Sequence, residues 1–183
     1  MSQDAESPGK RTLRWKRLLG VLLFMLLLGG GAYGASWLNA RTYYLVVGPT
    51  EVSVGKGRML PFGYDPYVPL EPSLRRAYET FLLPGGFDVE RGQQKYSDRV
   101  ELDQTLFLIL VKASQFSLRK ENARTPELVA AYLSRLRALP GTSANQRSEI
   151  ERLAGEAKFV EAKGKMKAGF TALESAEKMF REA

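Results

Sequence analysis

The sequence predicts an α+β protein on a single N-terminal transmembrane helix, with a short juxtamembrane antiparallel β-meander and then a mainly α-helical domain ending in a long C-terminal helix. Three observations predict it. Residues Leu18 to Leu38 form an uncharged run of 21 residues; Gly and Pro break residues 42–62 into short aromatic and β-branched pieces; and proline is absent from the last 41 residues. The corresponding division is a disordered tail at 1–17, a membrane helix at 18–38, a meander with a Pro/aromatic strap at 39–72, a helical core at 73–141, and a long helix or helix pair at 142–183.

At about 1.5 Å per residue, a helix of the uncharged run is about 31 Å long, which matches the hydrocarbon thickness of a bilayer. Leu18 and Leu38 bound the anchor, and Trp15 and Trp37 fall at the levels where interfacial aromatics sit. Lys10, Arg11, Arg14, Lys16 and Arg17 precede the run, against Arg41, Lys56 and Arg58 in the 20 residues after it. This asymmetry predicts a cytoplasmic N-terminus and an exported C-terminal domain. The competing reading is a cleaved signal peptide, since Leu18 to Leu28 follows a basic region and Gly30, Ala32 and Gly34 offer small residues for a peptidase. Both readings export the remainder. Gly30 and Gly34 also have the Gly-x-x-x-Gly spacing of close-packed membrane helices, so self-association through the anchor is one reading of them and inert small membrane residues are the other.

The chain has no Cys and no His. Disulfides and a lipid-modified cysteine are thereby excluded, as are Ser-His and Cys-His nucleophilic sites and nearly all zinc geometries. A disulfide-free exported domain points to a bacterial inner membrane with the domain in the periplasm. The formal net charge of +7 divides unevenly: five basic and two acidic residues lie in the tail, leaving 22 basic and 18 acidic beyond it. That excess is too thin for a phosphate-binding stripe, so no nucleic-acid partner is expected, and the basic tail suits anionic headgroups.

In chain order, Thr42–Val47, Glu51–Val54 and Arg58–Phe62 read as strands, with Gly55-Lys56-Gly57 as a turn. The glycines superficially suggest a phosphate loop, but Thr50 stands where that loop needs Gly and Gly57 where it needs a hydroxyl. Pro61 to Pro72 carries Phe62, Tyr64 and Tyr67 between prolines and reads as an extended strap over the core. A helix from Pro72 or Ser73 to about Leu82 follows, then a polar loop to Ser97. Asp98 and Glu101 cap a helix whose apolar face is Leu102, Leu106, Ile109, Leu110 and Ala113. Thr125-Pro126 opens the next, faced by Leu128, Val129, Tyr132, Leu133 and Leu136 and ended by Pro140-Gly141. The final segment runs as one helix, or as two joined near Gly164 or Gly169.

Within it, Phe159-Val160-Glu161-Ala162 followed by Met166 resembles the second helix of a tetratricopeptide repeat, but the Trp, Leu-Gly and Tyr of the first helix are missing, and an ordinary helical hairpin fits better. Ser117-Leu118-Arg119-Lys120 and Ser175-Ala176-Glu177-Lys178 have the Ser-x-x-Lys spacing of penicillin-recognising enzymes without their companion elements, and both pairs are expected on the surface.

The function expected from these features is non-enzymatic: a scaffold or accessory subunit of a cell-envelope complex, with the bilayer and protein partners as ligands and no cofactor or metal. Phe159, Met166, Phe170 and Met179 lie off the main apolar stripe of the last helix and are the expected partner-binding residues. One alternative is a cell-wall-acting enzyme using two carboxylates in a cleft. The other is a small-ligand-binding module using a pocket under Tyr64 and Tyr67.

Overall fold

Helix α1, Gly9–Arg41, runs without a break into the first strand in the structure of the chain, a computed structural model that describes residues 9–120 and 125–182. The described part of the segment read as a disordered tail is therefore helical. Extending an existing helix avoids the cost of nucleating one, and Lys, Arg and Leu are good helix formers.

Strands β1 (Tyr43–Val47), β2 (Glu51–Gly57), β3 (Tyr64–Pro66), β4 (Phe81–Leu82) and β5 (Gly92–Tyr96) form one antiparallel sheet in the order β3-β2-β1-β5, with β4 also on β2. In register, Leu45 faces Val54 on one side and Gln94 on the other. The sheet thus extends beyond the meander that the sequence indicates. β5 lies in the stretch read as a polar loop because Gly-Gln-Gln-Lys-Tyr has no apolar alternation; it pairs through backbone bonds along β1. The third strand is Tyr64–Pro66, not Arg58–Phe62, and Gly55-Lys56-Gly57 belongs to β2 rather than to a turn. The two glycines are there for space. A Cβ on Gly55 would stand 2.4 Å from the Tyr64 ring, and one on Gly57 would stand 1.8 Å from the backbone oxygen of Asn39.

Helix α2 is shorter than expected, Pro72–Tyr78, and the chain then turns extended into β4. Arg135 holds that ending: its guanidinium donates to the carbonyls of Arg76 at 2.7 Å, Glu79 at 2.8 Å and Thr80 at 3.2 Å. Helices α3 (Arg99–Lys120) and α4 (Thr125–Ala138) carry the apolar faces that their periodicity indicates, with Leu102, Leu106, Leu110, Val129, Tyr132 and Leu136 buried. They cover the sheet face formed by Leu45, Val47, Val52 and Val54, and one continuous core results.

Helix α5 is a single helix, Ala144–Glu182, unbroken at Gly164 and Gly169. Its start is a reciprocal capping box: the Ser143 hydroxyl accepts from the Gln146 amide N–H at 3.2 Å, and the Gln146 side chain accepts from the Ser143 N–H at 2.8 Å. Ile150, Leu153, Ala154 and Ala157 pack into the core. With 39 residues α5 is about 58 Å long, and only its first part is covered by the domain.

Candidate interaction surface

The second part of α5 carries the surface. Phe159, Met166, Phe170, Leu173, Met179 and Phe180 are all exposed, from 59% at Phe170 to 85% at Phe180. All four residues expected from the sequence to bind a partner are in this set, with Leu173 and Phe180 added. No part of α5 folds back on itself, so the apolar side chains have no cover within the described residues.

What keeps this part helical is local. Lys165 reaches the Glu161 carboxylate at 2.6 Å, and Arg181 pairs with Glu177, both at four-residue spacing with the acid first. The Lys165 bond holds the Glu161 carboxyl below its ordinary pKa. Thr171 and Ser175 return their hydroxyls to the carbonyls of Lys167 and Thr171.

The apolar stripe begins at the rim of a groove of about 590 Å³ between the end of α3 and α5, lined by Leu118, Arg119, Arg152, Gly155, Phe159 and Val160. Arg152 bridges Glu149 at 2.6 Å and also pairs with Glu156, and its hydrogen bond depresses the Glu149 pKa. Gln115 on α3 donates to the same Glu149 carboxylate at 3.1 Å, tying the two helices together beside the groove.

At the other end of the molecule, Leu18–Arg41 is long and apolar enough to cross a membrane, and every side chain from Leu18 to Tyr33 is exposed. Such a helix serves either as a membrane anchor or as a signal sequence. Gly30 has nothing within 4 Å of a notional Cβ, and neither has Gly34, so the small face of the helix is open. Trp15 and Leu38 are exposed, and the Arg41 guanidinium lies 3.6 Å above the Trp37 ring.

The junction between this helix and the sheet gave no sequence signal. Asn39, nearly buried, donates its amide to the carbonyls of Arg58 at 3.1 Å, Leu60 at 3.0 Å and Gly63 at 2.8 Å, while its side-chain oxygen accepts from the Tyr44 hydroxyl. One side chain thereby ties the end of α1 to the β2–β3 loop and to β1.

The remaining candidates sort by geometry. The strap is sewn in by aromatic contacts: Tyr64 stacks on Tyr44 at 4.9 Å, and Tyr67 is edge-on to Tyr43 at 5.2 Å and to Tyr78 at 4.9 Å. A cavity of about 300 Å³ opens beside it, lined by Val54, Tyr64, Tyr67, Arg75 and Tyr78. That is the lower limit of ligand-pocket volumes. Asp103 is the one buried carboxylate among the described residues; it accepts from the Tyr78 hydroxyl at 2.6 Å, with Arg99 at 3.7 Å. Burial raises its pKa and the two partners oppose the rise, a balance that makes it a core hydrogen-bond acceptor between α2 and α3.

Of the first Ser-x-x-Lys pair, Lys120 is on the surface as expected and Ser117 is not. Ser117 is buried because it lies on the inner face of α3, whereas Lys120 bonds the Gly85 carbonyl at 3.0 Å and lies over the Phe116 ring. Its ammonium is committed away from the serine. Among the described residues, no group of three or more Asp and Glu converges as a metal site. No family model, curated protein or solved structure matches the chain.

Proposed function

We propose that the chain is a non-enzymatic scaffold or accessory subunit of a cell-envelope assembly, anchored in a bacterial inner membrane by α1 and displaying its domain in the periplasm. The observation that carries this reading is the exposed apolar half of α5: about six large side chains along one helix, outside any fold-derived cover, are what a docking surface requires. Three features support the rest. The basic residues cluster before α1, which favours a cytoplasmic N-terminus. The helix is continuous through Gly29–Gly34, as suits a retained anchor, and its end is built into the domain through Asn39. The lack of His and Cys leaves few groups for catalysis, and the buried carboxylate already has two partners.

The test combines topology with contact. Protease added to spheroplasts should cleave the domain while sparing an N-terminal epitope, and a photo-crosslinker at Phe170 should capture protein in intact cells. A domain protected from external protease would overturn the placement. Empty crosslinks at Phe170, together with a saturable small-molecule ligand in the Tyr64–Tyr67 cavity, would overturn the scaffold in favour of the ligand-binding module.

A further inference from the structure

We infer that the occupant of the exposed half of α5 is a second copy of the same helix, packed antiparallel. The inference rests on the reading of that half as a docking surface and names its partner. It follows from spacing, size and charge taken together.

Phe159, Met166, Leu173 and Phe180 are seven residues apart, so they fall on one line of a helix that supercoils with another. The second line of the same seam, at the other inward position of each heptad, is Ala162, Gly169 and Ala176. Large residues therefore alternate with very small ones. In a parallel pair like meets like, which stacks Met on Met and Leu on Leu in wide layers and leaves Gly opposite Gly in empty ones. An antiparallel pair instead sets three of the large positions against the three small ones: Met166 on Ala176 of the second copy, Leu173 on Gly169, and Phe180 on Ala162. Every layer then has a similar volume, and the backbones approach evenly, as dense packing requires.

The flanks choose the same arrangement. In the parallel pair Lys158 would lie beside Lys163 of the second copy, a like-charge contact. In the antiparallel pair Lys163 lies beside Glu177, and the stem of Lys165 covers Met179. Phe170 meets its own copy across the two-fold axis. Five of the six exposed apolar residues are thereby used, and Phe180 of the second copy comes to the end of the stripe nearest Phe159 and the groove between α3 and α5.

Because the chain has no native cysteine, engineered ones report without background. The experiment uses full-length protein in nanodiscs, as two differently tagged preparations, Lys163→Cys and Glu177→Cys, treated with a short bismaleimide. The expected result is efficient crosslinking between the two variants and little within the Lys163→Cys preparation, since residue 163 and its own copy are about 21 Å apart in the antiparallel pair. Adding Leu173→Asp to both should lower the mixed crosslink at least tenfold with unchanged circular dichroism, because Leu173 lies outside the core; association through α1 alone would not respond to it.

Efficient crosslinking of Lys163→Cys to itself would overturn the antiparallel pair in favour of a parallel one. No crosslink in either preparation, while a photo-crosslinker at Leu173 captures a different protein in cells, would overturn self-association and leave the docking surface standing. Silence in both experiments would overturn both readings.

Discussion

The two parts of α5 are continuous in backbone and opposite in what sustains them. Residues 144–157 are helical because the domain needs the face they carry: Ile150 and Leu153 are nearly or fully buried, and Ala154 and Ala157 allow close approach to α4. Residues 158–182, apart from Val160 at the edge of the core, have no such contact and are held by helix-forming composition and pairs such as Glu161–Lys165. Tertiary burial contributes kilocalories per side chain, whereas local pairs contribute tenths. The lesson is that one helix contains a structural half and a presented half, and that the presented half is cheap to change without harm to the fold.

The sharpest way to break this contrast is a matched pair of substitutions. Leu153→Ala should destabilise the domain by about 3 kcal/mol through loss of burial and the cavity left behind, whereas Leu173→Ala, measured on dilute unpaired chain, should change the unfolding free energy by no more than about 0.5 kcal/mol. Equal effects in the unpaired chain would mean that the projecting half is packed against its own domain. Hydrogen exchange gives the same contrast without mutation. Amides of residues 148–157 should exchange only on global unfolding, and those beyond residue 165 should exchange far sooner unless the helix is paired. A smaller effect is expected from ending the chain after Glu161: the remaining domain should keep its unfolding free energy to within about 1 kcal/mol, because no core residue is removed.

The smallest effect concerns pH. Glu161 has a depressed pKa in the folded helix, so its contribution is present above its ordinary value of 4.5 and is lost as pH falls through the folded pKa. Helicity of the projecting half should decline slightly on acidification, and Glu161→Gln should abolish that part of the decline. Circular dichroism of Glu161→Gln against the parent chain between pH 6 and about pH 3 checks it; an identical decline in both would remove the pair from the account.

The helices of the domain were legible because their signals are redundant. α3 has a capping acid, a strict apolar period and basic residues in its last turn, and α4 has Thr-Pro at its start and Pro-Gly after its end. The sheet was only half legible. β1 and β2 declare themselves as aromatic and β-branched runs between Gly and Pro, but β5 is held by backbone bonds to β1 and shows only Gly, Gln and Lys before a single Tyr. The early end of α2 is set by Arg135, 59 residues away from the Arg76 carbonyl that it holds, and no local pattern encodes such a contact. Gly57 was visible as a glycine but not as the place where another helix passes, since that requires knowing where Asn39 comes to rest. At the candidate surface the residues were legible one by one as apolar side chains without an internal use. Their exposure depended on whether α5 turns back, and its continuity through Gly164 and Gly169 decides that.

The Asn39 amide has a mechanical meaning. Only Thr42 separates α1 from β1, and three carbonyl bonds clamp the helix end to the loop beyond β2, so the junction has no slack in which a hinge could form. Rotating α1 by one residue, about 100° around its axis, would swing the whole sheet by the same angle. The domain is thus oriented by its stem as a weathervane is by its shaft, and a turn of α1 about its own axis is passed to the sheet rather than absorbed at the junction.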